Sequence, residues 1–149
     1  MGHEEMALNE SIDPIARCIT KSVAIKCPPQ RAFQFLADGA NWPRWAFVNI
    51  KSTTKAEDPE CWDMTTVHGR ARLRIRAVAE YGILDHDYDD PQAKWTVPAR
   101  VLANGQGTEF IMTFFQPAAF TDEFFDKQIK LVDVELAELK HILEREASA

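Results

Sequence analysis

Residues 121–146 read TDEFFDKQIKLVDVELAELKHILERE, and this stretch decides the fold. Phe125, Ile129, Val132, Leu136, Leu139 and Leu143 recur at steps of 4, 3, 4, 3 and 4. That is the spacing of one helix face, sustained for about five turns. Asp122 and Glu123 fall in the expected first turn, where negative charge suits a helix N-terminus. Thr121 stands at the N-cap position. Phe124, Leu131 and Ile142 widen the apolar arc, whereas Gln128 and Glu135 interrupt it. A helix of about 25 residues spans roughly 38 Å, so it needs a long apolar surface to lie on.

The bulk numbers bound what that surface can be. At 149 residues the chain is expected to form a single domain, 1–149, with residues 1–15 a flexible or loosely packed N-terminal segment. A domain of this size buries about 68–70% of its unfolded surface and folds without disulfides or metal. The net charge of -6 argues against nucleic acid, which demands a basic face. Cys18, Cys27 and Cys61 fit no zinc spacing and read as small buried residues. With neither a signal peptide nor an apolar run of about 18 residues, no membrane insertion and a reduced, cytoplasmic setting are expected. His3, His68, His86 and His141 are scattered and no Gly-rich phosphate loop is visible, so neither metal nor cofactor is expected.

Upstream of the helix the pattern is mostly β. Ile19–Ile25 reads as a first strand, stopped by Cys27-Pro28-Pro29. Arg31–Ala37 reads as a short helix with Phe33, Leu36 and Ala37 on one face, and Asn41-Trp42-Pro43-Arg44-Trp45 opens a second. Strands follow at 48–55 and 62–67. In 70–79, Arg70, Arg72, Arg74 and Arg76 alternate with apolar residues, so the arginines take one face. A turn at Glu80-Tyr81 would set Arg76 opposite Asp85, Ile75 opposite His86, Arg74 opposite Asp87 and Leu73 opposite Tyr88. Charge then meets charge and apolar meets apolar. A further strand at 94–102 carries Pro98, which implies a bulge or an edge. Asn104-Gly105 is a hairpin turn into a last strand at 108–115. Strands followed by one long helix make an α+β layout, with the helix covering an antiparallel sheet.

The Cys27-Pro28-Pro29 segment with Phe33, Phe35 and Leu36, and the Asn41–Trp45 stretch after it, resemble the paired first helices of the START-like (SRPBCC) superfamily. Gly82-Ile83-Leu84-Asp85-His86, Val97-Pro98-Ala99-Arg100-Val101, Gly107-Thr108-Glu109 and Glu135–Lys140 are similar to a bacterial branch often labelled polyketide cyclase/dehydrase. The resemblance covers nearly the whole chain. It implies the helix-grip fold: a curved seven-stranded antiparallel sheet around the C-terminal helix, two short helices after strand 1, and a cavity between sheet and helix. It implies no catalytic residue, because fold does not fix function.

The residues themselves leave several readings open. Asp85 and His86 are strand neighbours that point to opposite faces, so they do not form a dyad. His86 and Tyr88 point inward, either as a hydrogen-bonded core pair or as ligand anchors or acid and base. Glu135 either pairs with a buried Arg or His, or projects into the cavity, where burial would raise its pKa. Trp42 and Trp45 are either a lid or packing anchors. The expected ligand-binding set is Trp42, Trp45, Met64, Leu73, Ile75, His86, Tyr88, Val97, Phe110, Met112, Phe114, Gln128, Val132 and Glu135, with His86, Tyr88 and Glu135 as catalytic candidates. The leading expectation is binding of a small hydrophobic or aromatic molecule. The alternatives are a cyclase/dehydratase-like enzyme using the same cavity, and a partner-binding domain resembling chaperone co-activators. The sequence leaves a homodimer open.

Overall fold

The computed structural model describes residues 14–148. The expected loose segment 1–15 lies, up to residue 13, outside them. Strand β1 (Cys18–Ile25) is followed by α1 (Pro29–Ala37) and α2 (Trp42–Trp45), with a 3-10 turn at Gly39–Asn41 between them. Then come β2 (Ile50–Lys55), β3 (Cys61–Thr66), β4 (Gly69–Val78), β5 (Ile83–Asp89), β6 (Lys94–Val97), β7 (Ala99–Asn104), β8 (Gly107–Phe115) and the long helix α3 (Asp122–Ser148). The sheet order is β1-β8-β7-β5-β4-β3-β2, with β6 also on β5 and every described pairing antiparallel. β1 and β2 are consecutive in sequence yet lie at opposite edges, so α1 and α2 carry the chain across. Among the described residues, no helix is long and apolar enough to cross a membrane.

Strands β6 and β7 are one line of residues interrupted at Pro98, which has no N–H for the ladder. His86 pairs with Val97 and Ile83 with Arg100, so the register runs unbroken across the gap. The Asp85 carboxylate, opposite Pro98, accepts from Ala99 N at 2.9 Å and Arg100 Nη1 at 3.0 Å. This is why the expected seven strands are eight segments.

The β4–β5 register is the expected one, with Leu73 opposite Tyr88 and Ile75 opposite His86. The turn is a 3-10 turn at Ala79–Tyr81 closed by Gly82 at φ 64°. A Cβ at Gly82 would collide with the Val101 carbonyl oxygen, so both backbone conformation and close approach require glycine. The arginines face out; Arg72 pairs straight across with Asp63 at 3.3 Å, whereas the other ion pairs run off the register. Arg76 reaches Asp87 at 2.6 Å, Arg74 reaches Asp58 at 2.9 Å and Glu60 at 2.8 Å, and Asp85 pairs with Arg100.

Helix α3 starts as its sequence predicts, with Thr121 Oγ1 accepting from Phe124 N at 3.1 Å. Phe125, Ile129, Leu136, Leu139, Ile142 and Leu143 are buried, and Val132 is half-buried. Helix α1 buries Ala32, Phe35 and Leu36. Its inner face is therefore rotated from the expected Phe33–Leu36–Ala37 side, and Phe33 and Ala37 only partly pack. Cys27 and Cys61 are buried, but Cys18 is exposed at the start of β1.

Candidate functional site

Packing is complete at the C-terminal half of α3 and incomplete under its middle. There a cavity of ≈ 100 Å³, partly open to solvent, separates α3 from the sheet. Strand alternation delivers its walls. The inward positions of β5 give His86 and Tyr88, those of β6 give Trp95 and Val97, and those of β8 give Met112 and Phe114. Helix α2 presents Trp42 and Trp45, and α3 closes the space with Gln128, Ile129, Val132 and Glu135.

The tryptophans of α2 are anchors, not a lid. Trp42 donates its Nε1–H to Leu36 O at 2.9 Å, and its ring lies 4.9 Å from that of Trp45. His86 meets Trp42 edge-on, with ring centroids 4.9 Å apart. Its Nδ1 lies 2.9 Å from Leu84 O, which fixes the Nδ1–H tautomer and leaves Nε2 as an acceptor. Burial lowers the His86 pKa to about 4, so the ring is uncharged at neutral pH.

Glu135 pairs with no cation among the described residues. Its Oε2 accepts from Val48 N at 3.2 Å, and desolvation raises its carboxyl pKa to about 8 despite that bond. The group is therefore mostly protonated at pH 7 and able to exchange a proton near neutrality. Tyr88 is pushed well above the usual phenol range, by burial first and then by the Asp90 and Glu135 carboxylates. Tyr88 Oη and Trp45 Nε1 are buried and, among the described residues, without a hydrogen-bond partner.

Four residues named from sequence as ligand contacts do not line this cavity. Leu73, Ile75, Met64 and Phe110 share the inner sheet face but are packed over, all nearly inaccessible. The inner face is longer than the gap, and α2 fills part of the remainder: Trp45 meets the Phe110 ring edge-on at 6.3 Å. Conversely, the lining includes residues the sequence reasoning passed over, among them Asn49, His68, Asp90, Gln92, Trp95 and Phe120. Trp95 was findable, since it stands two residues before the inward Val97. It stacks on Phe125 at 6.0 Å, with Phe114 and Phe120 edge-on to it. His68, Asp90 and Gln92 belong to turns, where no periodicity reports direction. Among the described residues, no group of three His, Cys, Asp or Glu is placed to hold a metal ion.

The fold recurs in solved structures at low identity. An uncharacterized protein from Bacillus thuringiensis aligns with TM-score 0.70 and 15% identity, over 85% of this chain and 98% of its own. A protein from Nitrosospira multiformis aligns with TM-score 0.68 and 13% identity, over 89% and 100%. Ara h 8.0201 aligns with TM-score 0.65 and 15% identity, over 86% and 97%. These likenesses establish the fold alone. No curated protein matches the chain. The family model described as polyketide cyclase / dehydrase and lipid transport matches residues 16–144, and the chain belongs to that family.

Proposed function

We propose that the protein binds a small apolar or aromatic molecule between the sheet and α3. The observation that carries this reading is the cavity: aromatic walls from Trp42, Trp45, Tyr88, Trp95, Phe114 and Phe120 converge on a few polar groups, the usual composition of a ligand site. The family description, which spans cyclases and lipid carriers, supports the same use of the space. At ≈ 100 Å³ the cavity is well below the roughly 300–1,000 Å³ of drug-sized pockets, and suits a single ring better than a long acyl chain. Titration with toluene, followed by tryptophan fluorescence, tests the reading. Saturable quenching that disappears in Val132→Trp, which fills the space, is expected. A wild-type response that never saturates would remove it.

A second reading, a cyclase- or dehydratase-like enzyme, is favoured by Glu135 specifically. Its carboxyl, raised to about 8, is poised to give or take a proton near neutral pH. Turnover of an aromatic carbonyl substrate would then follow a pH limb near 8 that E135Q abolishes, and an unchanged limb in E135Q would exclude Glu135.

A further inference from the structure

We infer that the cavity takes an uncharged ligand whose polar end is a hydrogen-bond acceptor, such as a ketone, aldehyde or ester carbonyl, held by Trp45 Nε1 and Tyr88 Oη. The inference deepens the binding reading above and rests on it.

Two observations converge. The first is the pair of unmet donors. Among the described residues, Trp45 Nε1 and Tyr88 Oη are buried without a partner at hydrogen-bond geometry, although the Thr66 hydroxyl and the Asp90 carboxylate stand near the Tyr88 phenol, and both residues line the same cavity. Buried polar groups are almost always hydrogen-bonded, so a pair left open in one place asks for an explanation. An indole N–H can only donate, and the Tyr88 phenol keeps its proton because burial raises its pKa. Trp45 Nε1 therefore calls for an acceptor, and the Tyr88 hydroxyl can serve as a second donor to it.

The second is the charge of the lining. Among the described residues, no Lys or Arg borders the cavity, whereas Asp90 and Glu135 do. A carboxylate ligand would find no counter-charge and would face Asp90. His86 supplies none, because burial keeps its ring neutral; His68, the other histidine of the lining, is exposed. An organic cation would gain from Asp90 and the aromatic faces and could donate to the Tyr88 oxygen, but it has no lone pair to offer Trp45 and would leave that donor unmet. A neutral acceptor satisfies both donors and sets no charge against Asp90. Glu135, mostly protonated at pH 7, adds a third donor near the same space.

The test uses four single-ring probes at pH 7: toluene, acetophenone, benzoate and benzylammonium. Dissociation constants are measured with the wild type, Tyr88→Phe and Trp45→Phe. Acetophenone is expected to bind about tenfold tighter than toluene, the equivalent of one good hydrogen bond, with benzoate and benzylammonium weaker than acetophenone. Y88F and W45F are each expected to shrink the ratio of acetophenone to toluene affinity several-fold, whatever each does to toluene affinity itself. If W45F does not fold, Y88F decides alone. Tighter binding of benzoate or of benzylammonium would overturn the inference while leaving the binding reading standing. So would an acetophenone advantage that survives the substitutions. Failure of all four probes to bind would instead overturn the binding reading itself, and this inference with it.

Discussion

Replacing Glu135 by Gln keeps the shape and the acceptor for Val48 N but removes the titration, so E135Q isolates what burial of this carboxyl does to stability. Its pKa is 4.5 as a free group and about 8 in the folded protein. Between those values the folded state holds a proton that the unfolded state has released, so stability falls as pH rises. One such proton changes stability by about 1.4 kcal/mol per pH unit. Between pH 5 and pH 7.5 the full loss is about 3 kcal/mol, and the partial solvent contact of Glu135 trims it to about 2–3 kcal/mol. For a protein of this size that is roughly 5–10 °C in Tm. Urea unfolding of both proteins at half-unit pH steps reads the effect as a difference curve, in which every other titrating group cancels. E135Q should gain on the wild type across that window, with the curve flattening above pH 8. A difference that stays constant from pH 5 to 8.5 would refute the desolvated carboxyl.

His86 carries the opposite sign. Its pKa falls from 6.5 to about 4 on folding, so the unfolded state binds the extra proton and stability drops as pH falls below 6.5. Against His86→Phe, the wild type should lose up to about 1.4 kcal/mol per pH unit between pH 6 and 4.5 in chemical denaturation. Leu139→Ala, at a position with 0% exposure under the closed half of α3, should cost about 2–5 kcal/mol of unfolding free energy without altering toluene affinity. Gly82→Ala, placed at φ 64° against the Val101 carbonyl, should cost at least about 1–2 kcal/mol in the same measurement.

Local pattern carried much of the architecture. The β4–β5 pairing was readable because charge and apolar character alternate in step on both strands, leaving one register that satisfies both faces. The α3 stripe was readable because six apolar positions repeat without interruption. What escaped depends on distances between segments far apart in sequence. The alternation of β3, β4 and β8 marks Met64, Leu73, Ile75 and Phe110 as inward, but it does not report that these positions are packed over, as Phe110 is by Trp45 of α2. The environment of Glu135 is similar. Its place in an apolar arc was visible, whereas the absence of a cation among the described residues and the reach to Val48 N are properties of chain crossings. Pro98 was legible as a disturbance, but not the side chain of Asp85 that repairs it.

The aromatic stack beneath Phe125 and the dense packing from Leu136 to Leu143 act on α3 as two abutments act on a beam. The segment between Ile129 and Leu136 bridges them, and the cavity is the clearance beneath it. Seven residues of helix measure about 10 Å, so the distance between the supports gauges the length of anything lying lengthwise under the beam. A longer guest cannot be housed by shuffling side chains inside that clearance. It has to lift one support, either by unstacking Trp95 from Phe125 or by opening the leucine-rich end. Under the proposed binding function, selection by size would be set by the spacing of anchor residues along the helix, separately from the polar groups that would select by chemistry.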